Sequence, residues 1–160
     1  MIHTIKLKNL NMKKIFLVVS VILIYFLSSV YSFANASSYF DQGLDLFKNQ
    51  ELEKSKIFFE KDIVFYPKKE RSYMYLSKIF EKKDNEFEQE INLKNVLLIN
   101  PLNDEAIYKL ALLKINQSDF DEAKKLIKNF KLVCKSFCSK KDELEEKLKK
   151  SLPEDVKNNN

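Results

Sequence analysis

Two prolines, Pro67 and Pro101, set the frame for this chain. Each closes an apolar stretch, and aligning on them brings other positions into step. Phe59 and Leu93 stand eight residues before their prolines. Ile127 holds the same phase in a third copy, where Lys135 takes the proline's place. Gly43, Ser77 and Ala111 coincide, all small; Tyr39, Tyr73 and Ile107 coincide, all large. Three units of equal length result, beginning near Ala36, Glu70 and Asp104. A chain with such a period stacks copies of one supersecondary piece, because one piece alone cannot bury its apolar side.

Composition makes that piece helical. The chain has one glycine and three prolines in 160 residues, so turn signals are few. Lys, Glu, Leu and Ile dominate, which favours helix, and the turn-rich punctuation that strands need is missing. In the first unit, helices are expected over 37–48 and 52–65, joined by Asn49-Gln50 and ended by Tyr66-Pro67. The first carries Tyr39, Phe40, Leu44, Leu46 and Phe47 around more than one face. The second unit gives helices over 71–82 and 87–99, with Asp84-Asn85 between them and Asn100-Pro101 after. The third gives 104–115, then a helix capped by Ser118, with Asp121 and Glu122 complementing its dipole.

A last helix is expected over 139–152. Its start signal is Ser139 with Asp142 three residues on. Leu144, Leu148 and Leu152 form its apolar stripe, and Glu145/Lys149 and Glu146/Lys150 support its exposed face. Leu152-Pro153 ends it, and residues 153–160 are expected to be a disordered tail.

The period, the small residue in each first helix, the large anchor in each second helix and the closing proline resemble the tetratricopeptide repeat (TPR) family. The resemblance covers residues 36–135. It implies an all-α helix-turn-helix solenoid of three repeats, about 36–69, 70–103 and 104–137, with 139–152 as a C-terminal capping helix. The whole TPR domain would span 37–152. The sequence departs from the pattern in its second helices. The usual small residue is Ala123 in the third repeat, but Ser55 in the first and the bulkier Gln89 in the second.

The resemblance also implies a groove lined by the first helix of each repeat. Its positions fall on Phe40, Leu44 and Phe47, then Arg71, Met74, Lys78 and Lys82, then Tyr108, Leu112 and Ile115. The lysine-and-asparagine pattern by which some members clamp a C-terminal carboxylate is absent, since Phe40 and Leu44 occupy its first two positions. The expectation is an apolar groove with a basic middle, suited to an amphipathic helix or extended peptide of a protein partner. Phe40 and Phe47 serve equally as inter-helix core. Met74 and Tyr108 are assigned to the groove, with polar replacements expected to leave the fold intact.

Residues 1–36 read as a leader. Lys13 and Lys14 precede an apolar run, Ile15 to Leu27, broken only by Ser20, and Ala34-Asn35-Ala36 follows. That is the build of a secretory signal peptide cut after Ala36. An uncleaved inner-membrane anchor is the alternative, since residues 15–34 carry no charge. Met12 serves as a start as well as Met1 does. Either reading exports the repeats to the periplasm. The leader holds four lysines and no acid, so the remainder has 28 − 4 = 24 basic residues against 23 acidic ones. A near-neutral domain of this kind argues against a nucleic-acid partner.

Catalytic parts are missing from the sequence. The only histidine, His3, lies in the leader, so no Ser/His or Cys/His nucleophile and no zinc set can be assembled. One glycine cannot make a phosphate-binding loop. No cofactor, metal or enzymatic activity is therefore expected. Cys134 and Cys138, i and i+4 in an exported chain, are candidates for a disulfide, with two half-buried thiols as the alternative. The expected function is a non-catalytic scaffold for protein–protein interaction in the periplasm or at the envelope. The alternative is an assembly factor or regulatory subunit of an envelope complex, for example in cytochrome maturation or outer-membrane assembly.

Overall fold

The computed structural model describes residues 15–23 and 38–153, and the chain divides into two compact units, Met1–Ser37 and Ser38–Asn160. In the first unit, residues 15–23 are helical with exposed side chains. Among the described residues no helix is long and apolar enough to cross a membrane. The expected start, the cut after Ala36 and the disorder of 154–160 lie outside the described residues.

Among the described residues of the second unit every regular element is helical. The helices are α1 (Tyr39–Lys48), α2 (Leu52–Phe65), α3 (Glu70–Lys82), α4 (Glu86–Ile99), α5 (Asp104–Asn116), α6 (Phe120–Val133) and α7 (Lys141–Ser151). A 3-10 turn, Cys138–Lys140, precedes α7. The pairs α1/α2, α3/α4 and α5/α6 pack most extensively and form three helical hairpins. Adjacent hairpins meet through α2 against α3 and α4 against α5, and α7 packs on both α5 and α6.

Helix ends recur in register. Lys48, Lys82 and Asn116 end the first helices, and Phe65, Ile99 and Val133 the second, both sets at the spacing of Pro67 and Pro101. The turn inside each hairpin is one local motif. Gln50, Asp84 and Ser118 adopt left-handed φ values of 62°, 51° and 58°. The N–H groups of Glu51, Asn85 and Asp119 then donate back to the carbonyls of Leu46, Phe80 and Lys114 at 2.9–3.0 Å. This closes each first helix with the C-cap motif in which glycine is the usual left-handed residue.

Ser118 therefore does not cap α6. It sits in the turn, and the Asp119 carboxylate accepts from the Glu122 N–H instead. Ser38, Asn85 and Asn103 cap α1, α4 and α5 in the same way. Ser139 does not cap the last helix either; it lies within the 3-10 turn, and α7 starts at Lys141 without a side-chain cap. Of the two expected pairs on α7, Glu146 bonds Lys150, whereas Glu145 reaches across to Lys131 of α6. Leu144 is fully buried, while Leu148 and Leu152 are half-buried.

The packing inside the first hairpin leaves no room at Gly43. A Cβ there would lie 2.9 Å from the ring of Phe59, which is itself fully buried. The Ser55 hydroxyl donates to the Gly43 carbonyl at 2.8 Å across the same seam. At the matching positions Ser77 and Ala111 are buried, and so are Leu93 and Ile127. Leu93 and Ile127 are smaller than Phe59, and the residues aligned with Gly43 there carry a Cβ.

Polar groups tie the hairpins together. Ser72 of α3 donates to the buried Asp62 carboxylate of α2 at 2.5 Å. Lys114 of α5, also buried, pairs with Glu90 of α4 at 2.8 Å. At the C-terminal end, one Asp104 oxygen accepts the backbone N–H groups of Lys135, Ser136 and Phe137 at 2.6–2.9 Å. Cys134 and Cys138 bracket that loop at disulfide distance, with Cα atoms 5.2 Å apart. Burial works against the Asp104 charge, but bonds from Phe137, Lys135, Ser136 and Glu105 outweigh it and hold the carboxyl below the ordinary aspartate range.

Three consequences are testable by melting. Gly43→Val drives methyl groups into the Phe59 ring and lowers stability by about 2–3 kcal/mol. Ser118→Gly relieves the left-handed turn and raises stability by about 0.5–1 kcal/mol. Asp104 favours folding in its ionised form, so its contribution is complete above about pH 5 and fades as pH falls through the lowered value. The wild-type advantage over Asp104→Ala should shrink accordingly in acid; an advantage independent of pH contradicts the role given to the ionised carboxylate at the Lys135–Phe137 N–H groups.

Candidate functional site

The residues expected to line a groove fall into two groups. Phe40, Phe47, Arg71, Lys78 and Lys82 come together where α1 meets α3. The rings of Phe40 and Phe47 approach Tyr75 edge-on at 5.6 and 5.2 Å, and Tyr75 stacks on Phe59 at 5.1 Å. Over these rings lie the cations of α3. The Arg71 guanidinium sits 4.2 Å above Phe40, Lys78 Nζ 5.0 Å from Tyr75 and Lys82 Nζ 5.8 Å from Phe47. Each such contact contributes about 0.5–1 kcal/mol at an exposed site. Leu44 is half-buried against the same cluster.

Sequence reasoning missed Tyr75, the centre of this strip. The signal was present: Arg71, Tyr75, Lys78 and Lys82 run at i, i+4, i+7 and i+11, one stripe of α3. Tyr73, on a different face of the helix, is the position that the repeat alignment emphasised.

The second group is core. Met74, Tyr108 and Ile115 are 6 %, 8 % and 3 % exposed and belong to one cluster with Leu93, Ala111 and Phe130. They therefore lie in the core rather than on an accessible groove wall; Met74 packs in the cluster that α4, α5 and α6 share, and the Glu143 carboxylate of α7 meets the Tyr108 hydroxyl. Polar replacement of either therefore attacks the fold. Phe40 is likewise buried, at 5 %, and offers a partner only what Arg71 leaves uncovered. Leu112 is half-buried beside Lys109 and Glu81, away from the aromatic strip.

Charges on this face are partly neutralised internally. Lys78 pairs with Glu105 at 2.8 Å and Lys109 with Glu81 at 2.7 Å, both between α3 and α5. Lys82 hydrogen-bonds the neutral amide of Gln50 at 3.2 Å. The positive charge left for a partner is that of Arg71 and Lys82, eleven residues apart on α3, or about 16 Å along a helix. The expected basic middle is thus two basic ends around a paired lysine.

Tyr108 joins the core to the last helix. Its hydroxyl donates to Glu143 of α7 at 2.7 Å. Burial, then the bond to Glu143 and the charges of Glu143 and Glu81, push the phenol up to about 12. Glu143 is held low by Lys140 first and by Tyr108 second. Among the described residues no His, Cys, Asp and Glu group could hold a metal ion.

Tyr108→Phe removes the bond to Glu143 and should lower stability by about 1 kcal/mol, read by denaturant melting. The folded state favours the neutral phenol. Its contribution is therefore full below about pH 10 and lost as pH rises toward 12, and the difference between wild type and variant should close over that window. A scan against protein-family models gives no match for this chain, and neither does a comparison with curated proteins.

Proposed function

We propose that the chain is a TPR-type scaffold: three helix-turn-helix repeats and a capping helix that hold a protein partner without catalysis. The observation that carries this reading is the register of the turns. Gln50, Asp84 and Ser118 repeat one left-handed C-cap at even spacing, and the same period recurs at the helix ends. Three hairpins locked in one register present their first helices side by side, the arrangement from which helical-repeat proteins build binding surfaces.

The partner is an extended peptide segment. Arg71 and Lys82 offer two cations about 16 Å apart, a span that an extended chain covers in about five residues. Acidic side chains at that spacing meet both, and an apolar residue between them meets Leu44 and Phe47. We place the protein in the periplasm or at the envelope. The lysine-flanked apolar leader with Ala34-Asn35-Ala36 supports export, and the cysteine pair at disulfide distance suits an oxidising compartment.

A photo-crosslinking residue at Leu44, expressed in the native host, should yield a discrete crosslinked protein. Arg71→Glu with Lys82→Glu should abolish that product while leaving the helical spectrum unchanged. A product that survives the double variant places the partner elsewhere. Intact mass of the same material should begin at Ser37, with alkylation of both cysteines only after reduction.

A further inference from the structure

The near neutrality of the domain hides a strongly basic stretch. Residues 123–141 hold seven lysines and no acidic residue, against 24 basic and 23 acidic residues in 37–160 as a whole. The fold brings part of this charge to a groove between α6 and α7, on neither the α1/α3 strip nor the α3/α5 seam. The groove has a volume of about 570 Å³. Ile127, Leu148 and Leu152 form its apolar floor, and Lys124, Lys128 and Lys149 stand along its sides. The Lys131–Glu145 pair spans the two helices at one end.

Those three lysines are uncompensated. Lys78, Lys109, Lys114 and Lys131 each reach an acid on another helix. Lys124, Lys128 and Lys149 make no ion pair among the described residues, although Glu145 is one turn from Lys149. Lys124 and Lys128, at i and i+4 on α6, repel each other. The seam also gapes here: Leu144 is fully buried, but Leu148 and Leu152 remain half-buried in the wall of the groove.

We propose that the α6/α7 groove is a second docking site, for an acidic amphipathic helix of a protein partner. The rows that line it, 124–131 and 145–152, each span two helical turns. A third helix laid between them would set apolar side chains at i and i+4 on the floor and carboxylates against the lysines on either side. Shape and chemistry favour this occupant. A bilayer takes up apolar side chains that protrude from a helix, whereas these are recessed between two. Single-stranded nucleic acid stacks on aromatic side chains, and none lines the groove.

The test uses the full chain, isotope-labelled for NMR, and a synthetic helical peptide of about 14 residues with Leu at i, i+4, i+7 and i+11 flanked by Glu. The amide shifts should move at 124–131 and 145–152. Lys124→Glu, Lys128→Glu and Lys149→Glu together should weaken binding at least about tenfold, and so should raising the salt. The glutamine triple variant should give a smaller loss in the same direction and guards against misfolding of the charge-reversed protein. A peptide with Lys in place of Glu should not bind. The proposal is overturned if the acidic peptide does not bind, if the basic peptide binds equally, or if the shifts move on α1 and α3 instead. It is also overturned if vesicles of phosphatidylglycerol bind the groove and the acidic peptide does not.

Discussion

Phe59 reaches the centre of the first hairpin because Gly43 has no side chain. The approach of its ring to within 3 Å of a would-be Cβ lets α1 and α2 close around a fully buried phenylalanine. The same pairing, a small residue on the first helix and a large one on the second at equal separation, recurs in the sequence as Ser77 with Leu93 and Ala111 with Ile127, all four buried. Close packing of this kind makes the register of the two helices a necessity, since a shift of one residue exchanges small for large. The chain has one glycine, and it stands where the opposing side chain is largest.

From those seams the rest follows by stacking. Each hairpin leaves a flank that its neighbour covers, and the buried side chains gather in two clusters, one of Phe40, Phe59, Leu76, Ile79 and Phe80, the other running from Met74 and Leu93 to Phe130 and Leu144. The junctions differ in chemistry. An aspartate–serine bond joins the first to the second, with one buried Asp62 oxygen left without a partner. A buried lysine–glutamate pair joins the second to the third. The C-terminal end depends on Asp104, which gathers three backbone N–H groups of the cysteine-bracketed loop and so fixes where α7 begins.

The all-helical fold was legible in the sequence because its signals are redundant. Proline, a polar turn pair and apolar periodicity agree at the ends of α2 and α4, so those helices end where expected, at Phe65 and Ile99. Where one residue type satisfies two rules, the sequence is ambiguous. Ser118 is a good cap, but the turn before α6 needs a left-handed residue at that place, and Asp119 caps as well. Ser139 lost its role because the loop held by Asp104 continues into a 3-10 turn. Met74 and Tyr108 could not be sorted between core and surface by periodicity. Their burial depends on how closely α3, α5 and α7 approach, which is a property of the stacked whole. Tyr75 was hidden for the opposite reason: the alignment drew attention to Tyr73, two positions earlier. Among the described residues Lys149 is left unpaired in the α6/α7 groove because Glu145 turns to Lys131 rather than to its own-helix neighbour, a choice that only the packed helices decide.

The central claim is that one hairpin packing is used three times in a single register. A NOESY spectrum of the labelled protein tests it most directly. The account predicts contacts between the Gly43 Hα protons and the Phe59 ring, with ring-current-shifted Gly43 resonances. It also predicts contacts from Ser77 to Leu93 and from Ala111 to Ile127, both pairs at the sequence separation of Gly43 and Phe59. Contacts in a different register in any hairpin, or unshifted Gly43 resonances, would contradict it.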